Sequence, residues 1–127
     1  MIVVSDTTPL ISLLKINRLE LLERLFGEVM IPKAVFDELT VDQRFRTEAD
    51  QIRQESFIVV KPVNNQESAS VLKRATGLDQ GESEAIVLTD ELKADLLLMD
   101  EAKGRSVSAQ MGIKIMGTIG ILMAAYE

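Results

Sequence analysis

Five short apolar runs punctuate this chain: Ile2 to Val4, Glu28 to Ile31, Phe57 to Val63, Asp95 to Met99 and Ile113 to Met116. They are nearly continuous rather than alternating, which suits strands covered on both faces. The stretches between them are long enough for crossover helices, and strands joined in that way run parallel. The pattern predicts an α/β fold built around one parallel sheet. Leucines recur at helical spacing from Pro9 to Ile16 and from Arg18 to Phe26, with Thr8 suited to N-cap the first helix and Pro9 to open it. Pro32 opens another helix directly after the second run, and Gly77 closes the helix that begins near Asn65. The polar stretch from Thr40 to Ser56 reads as a loop plus an exposed helix, the segment best placed to move or to face a partner. There is no linker, repeat or low-complexity tract, so residues 1–127 read as a single domain.

The chain has no cysteine and no histidine. Disulfides, thiolate metal sites, serine–histidine or cysteine–histidine nucleophiles and imidazole acid–base pairs are therefore excluded. What remains for catalysis is carboxylates, amines, hydroxyls or a bound hard cation. The net charge of −6 argues against a polyanion binder held by bulk charge, though an acidic metal site is compatible with it. No apolar run approaches the ~20 residues that span a bilayer, and the apolar start lacks a basic head. The expectation is a soluble, cytoplasmic protein with no membrane partner.

Ligands of open parallel sheets bind beyond the carboxyl ends of the strands. Asp6 and Asp100 each lie just past such an end, after "IVVS" and "LLLM". Either one alone also suits an N-cap or a loop acid; two in equivalent places favour function. Glu38 borders the buried stripe of its helix, set by Val35, Phe36 and Leu39, more closely than Asp37 does. In "GLDQGESEAIVLTDEL", Glu82 sits at the edge of the apolar stripe and Glu84 further round, while first-turn acids are also expected from the helix dipole alone. The helical wheel leans to Glu82 and leaves Glu84 open. Carboxylates that converge without cationic partners repel one another unless a divalent cation neutralises them, and hard oxygen ligands suit Mg²⁺ or Mn²⁺.

The segments "VVSDTTPLISLLKI", "EVMIPKAVFDEL", "GESEAIVL" and "ADLLLMDEAKGR...GIKIMGTIGIL", in this order, resemble the PIN-domain nucleases, nearest a branch of short prokaryotic proteins related to VapC-like toxins. The resemblance implies a three-layer α/β/α sandwich around a parallel sheet of four to five strands, and Mg²⁺- or Mn²⁺-dependent hydrolysis of RNA phosphodiesters. By motif position it implies Asp6, Glu38, Glu82 and Asp100 as catalytic acids, with the ion held by Asp6, Asp100 and Glu82. It also implies Thr7 as the hydroxyl beside the first acid, a substrate-binding group that would position a water or a ligand oxygen. Lys103 and Arg105 would touch substrate phosphate, or simply form a solvated helix start. A toxin of this kind implies an antitoxin protein as partner; separately, the Leu- and Met-containing helices suit self-association as a homodimer. The chain departs from the pattern at Glu82, where aspartate is more usual, and at Leu98, where many members carry threonine or serine. The second acid often seen beyond the last strand has no clear counterpart, since Glu101 directly follows Asp100. The competing class is a catalytically inactive module that binds RNA or protein. A P-loop is ruled out because "GIKIMGTIG" has neither the glycine spacing nor the Lys-Ser/Thr ending.

Overall fold

The computed structural model describes residues 1–127. Five strands, β1 (Val3–Ser5), β2 (Val29–Pro32), β3 (Ile58–Lys61), β4 (Leu96–Leu98) and β5 (Ile115–Met116), form one sheet in the order β3-β2-β1-β4-β5. Every pairing is parallel, with Val4 opposite Met30 and Ser5 opposite Leu98 across the central strand. The helices are α1 (Thr7–Lys15), α2 (Glu20–Phe26), α3 (Lys33–Val41), α4 (Arg46–Gln54), α5 (Gln66–Thr76), α6 (Gln80–Leu92), α7 (Ala102–Gln110) and α8 (Thr118–Ala125); a short 3₁₀ turn, Gln43–Phe45, precedes α4. All five strands fall within the apolar runs or extend them by a residue, and the fold is the expected three-layer α/β/α sandwich around a parallel sheet.

Alternation along the strands builds two cores. Val3, Val29, Ile31, Leu96 and Leu98 point to one face, where they meet Leu10, Leu13, Leu22 and Ile121. Val4, Leu97 and Met99 point to the other, against Ala69, Ala85, Ile86 and Leu88. Because neither face is wet, apolar residues are needed at successive positions, which is why these strands read as runs rather than as alternation.

Two helix starts differ from the sequence reading. Asp6, not Thr8, is the N-cap of α1, with an extended backbone at ψ 176°, so Pro9 is the third helical residue rather than the first. That position tolerates proline because its amide would have no intrahelical acceptor. Pro32 closes β2 and caps α3, and Lys33 is the first residue of the helix. The polar stretch after Thr40 is not a free loop. Ala49 and Ile52 of α4 are buried in the first core, and the Arg53 guanidinium lies 5.5 Å from the centre of the Phe36 ring. Gly77 ends α5 as expected, in the left-handed conformation at φ +78°.

Leu97 is fully buried at the centre of β4, whereas Val71 on α5 is exposed. Leu97→Ala should lower unfolding free energy by about 2–5 kcal/mol and Val71→Ala by about 0.5 kcal/mol or less, read from urea denaturation.

Candidate functional site

The chain lays down β1, β2 and β3 in one direction, then returns to place β4 and β5 on the other side of β1. The break in strand order falls between β1 and β4, where a parallel sheet opens a crevice at its carboxyl edge. Asp6 stands at that point. Its amide donates to the Leu98 carbonyl at 2.9 Å, continuing the β1–β4 ladder one residue past the strand and fixing the acid at the sheet edge.

Asp6 is only 4% exposed. Burial pushes its carboxyl from 3.8 up to about 7; the Thr7 backbone amide pulls it down, and the charges of Glu82, Asp79 and Glu38 push it further up. These four carboxylates come from three elements. Glu38 arrives on α3, where its Oε2 accepts a 3.0 Å hydrogen bond from the Thr7 hydroxyl. Asp79 and Glu82 arrive at the start of α6 as a reciprocal cap: the Glu82 amide donates to Asp79 Oδ1 at 2.7 Å and the Asp79 amide to Glu82 Oε1 at 2.9 Å. Glu38 and Glu82 are both raised, chiefly by desolvation and, among charges, first by Asp79. None of the four takes part in an ion pair; Lys33, the nearest cation on α3, is paired with Asp37 instead.

Gly81 brings α3 and α6 together. A Cβ at this position would lie 3.1 Å from Glu38 Oε2 and 3.5 Å from Val35 Cγ2, so the missing side chain is what lets Glu38 approach Asp79. Beside them a groove of about 650 Å³ opens between the two helices, lined by Lys33, Asp37, Glu38, Asp79, Gln80 and Glu84 among others.

Glu84 has a different occupation from Glu82. It is 5% exposed, and its carboxylate accepts from the Ala34 amide at 3.2 Å and from Gln80 Nε2 at 2.8 Å, which places an acid on the first turn of α3. Asp100 shares the sheet edge with Asp6, but its carboxylate faces α8, accepting from the Thr118 amide at 2.7 Å and the Thr118 hydroxyl at 2.5 Å. Arg105 donates from Nη1 to the Met99 carbonyl at 3.2 Å, tying α7 to the end of β4, and Lys103 extends its ammonium to the Gly77 turn. Asp79 is the member of the cluster that the sequence reading treated only as capping charge. The pattern Asp79-x-x-Glu82 was its signal, since a reciprocal cap fixes both acids at one helix start.

The donor set is oxygen-only and none of its four carboxylates is ion-paired, which is the chemistry that suits a hard divalent ion. No three carboxylates stand close enough in this arrangement to share one ion. Glu38 commits one carboxylate oxygen to the Thr7 hydroxyl and Glu82 one to the Asp79 amide, so the residues fit such an ion in the chemistry of their donors.

A family model described as a PIN domain matches residues 2–127. Among solved structures, the chain is similar to a PilT N-terminus domain protein from the hyperthermophilic archaeon Sulfolobus solfataricus P2, with a TM-score of 0.69 and 18% identity over 100% of this chain and 95% of that one, a likeness in fold. No curated protein matches the sequence.

The raised carboxyl at Asp6 has a consequence for stability. The folded form holds its proton more tightly than the unfolded chain does, so the contribution is fully present below pH 3.8 and is lost as pH rises through about 7. Without divalent ions, urea midpoints should fall between pH 4 and pH 8, and Asp6→Asn should flatten that fall and exceed wild type at pH 8, with about 4 kcal/mol as a ceiling.

Proposed function

The chain belongs to the PIN-domain family, and on that premise we propose that it is a Mg²⁺- or Mn²⁺-dependent endoribonuclease, acting as the toxin of a toxin–antitoxin pair. The observation that supports this most is the burial of Asp6 at the switch point of the sheet, with Glu38, Asp79 and Glu82 as its charged neighbours and none of the four ion-paired. Such an arrangement is unfavourable on its own and becomes favourable around a divalent ion. Asp6, Glu38 and Glu82 would hold the ion together with an acid from the end of β4, where the family position is Asp100. When bound, the ion supplies Lewis acidity, lowering the pKa of water and offsetting charge on the scissile phosphate.

The protein's own groups prepare the site. Continuation of the ladder from Asp6 to Leu98 holds the first acid rigid. The Thr7 hydroxyl holds Glu38 and so positions that acid. The reciprocal cap holds Asp79 and Glu82 at a common helix start. Lys103, exposed on the first turn of α7, is available to a phosphate, whereas Arg105 is half-buried and partly occupied by the Met99 carbonyl. The groove between α3 and α6 has four carboxylates and one lysine in its wall, which favours a basic segment of an antitoxin over free nucleic acid as its occupant. Ile119, Met123 and Tyr126 form an exposed apolar stripe on α8 and just past its end that suits a homodimer contact. No helix is long and apolar enough to cross a membrane.

Purified protein should cleave single-stranded RNA with Mn²⁺ and not with EDTA, and Asp6→Asn should reduce cleavage to background. Thr7→Val, which frees Glu38 without removing a carboxylate, should lower the rate by about 10–100-fold. Gel analysis of end-labelled RNA reads both; RNA binding without cleavage in any divalent ion would favour the inactive module instead.

A further inference from the structure

The two acids that follow β4 point in different directions, and their hydrogen bonds separate their roles. Both oxygens of Asp100 are committed to Thr118, the first residue of α8, through its amide and its hydroxyl. A Cβ on Gly117 would lie 2.7 Å from Asp100 Oδ1, so the carboxylate is packed directly on the backbone that enters α8. The same junction is pinned by the Met99 amide, which donates to the Met116 carbonyl at 3.0 Å. Turning Asp100 toward Asp6 would break two charge-assisted hydrogen bonds and leave the Thr118 amide without its acceptor.

Glu101 is differently placed. It is the N-cap of α7, and only its Oε2 is engaged, by the Gly104 amide at 2.6 Å. Its other oxygen is free. Gly104 itself has no room for a Cβ, which would collide with Met99 Sδ; the first turn of α7 therefore sits hard against the buried end of β4 and holds Glu101 at the sheet edge. From there α7 packs on α6, the helix whose first turn carries Glu82.

We infer that Glu101, not Asp100, supplies the carboxylate from the end of β4 that faces the ion, and that Asp100 is a clamp joining β4 to the start of α8. The assignment rests on the metal-site reading given above. It also accounts for an acid directly after Asp100, where an N-cap alone would be served as well by serine or threonine.

Mn²⁺ binding to the full chain, followed by calorimetry and by loss of the free-ion electron paramagnetic resonance signal, tests this without reference to activity. Glu101→Gln keeps a carbonyl oxygen for the Gly104 amide and removes the charge; it should weaken Mn²⁺ binding about tenfold or more while the melting temperature of the metal-free protein stays near wild type. Asp100→Asn should lower that melting temperature and leave Mn²⁺ affinity near wild type. Wild-type affinity in Glu101→Gln, or a loss in Asp100→Asn as large as that in Glu101→Gln, overturns the assignment while leaving the metal site standing. Absence of saturable Mn²⁺ binding by the wild-type chain overturns both.

Discussion

Everything at the candidate site depends on one unfavourable act, the burial of a carboxyl group at the end of the central strand. Asp6 is enclosed because β1 has a neighbour on each side and helices above and below, so a side chain at its carboxyl end has little access to water. Desolvation is the largest influence on it, and like charges add to desolvation rather than relieve it. A fold selected for stability alone would put an apolar or hydroxyl side chain there. The presence of a carboxylate is therefore evidence of use, in a way that an exposed loop acid would not be.

The two cores make that burial sustainable. Val3 and Val4, adjacent in sequence, serve opposite faces, and Leu96 to Leu98 do the same on β4, so the two strands flanking the switch point are anchored on both sides. A local loss of solvation at Asp6 is offset across a sheet whose central strands, β1 and β4, have every apolar residue buried. The same rigidity gives the site its reach, since α1, α3 and α6 each start at or near the carboxyl edge and deliver an acid or its positioning group within the first two turns.

Most of the architecture was legible because its cause is local. Strands covered on both faces must be apolar at consecutive positions, and all five were visible as such. Helix starts were less legible: Thr8 and Asp6 are both good caps, and the choice was made by the Asp6 to Leu98 ladder, a contact spanning most of the chain that no local pattern reveals. At the site, Asp6 stood out at its strand end and the helical wheel leaned to Glu82, whereas Glu38 reads locally as an ordinary helix acid and is singled out only by the family resemblance. Asp79 was visible only as half of a cap, because its effect on Asp6 arises from the approach of α6 to β1. Gly81 gave no sequence signal, since the reason for it lies on another helix, in Glu38 and Val35.

Acids of the same type at the same sheet edge are distinguished by what already holds them. Glu84 is saturated by Ala34 and Gln80, and Asp100 by Thr118; each neutralises the start of a neighbouring helix, and moving either would expose an unpaired amide. Glu38, Glu82 and Glu101 each commit one oxygen and hold the other in reserve. A carboxylate that is half engaged is positioned without being satisfied, which is the condition for a ligand that must be in place before its ion arrives. Residue type and spacing do not carry this distinction: Glu82 and Glu84 are two positions apart on one helix, and only the partners folded against them separate a structural acid from one free to act.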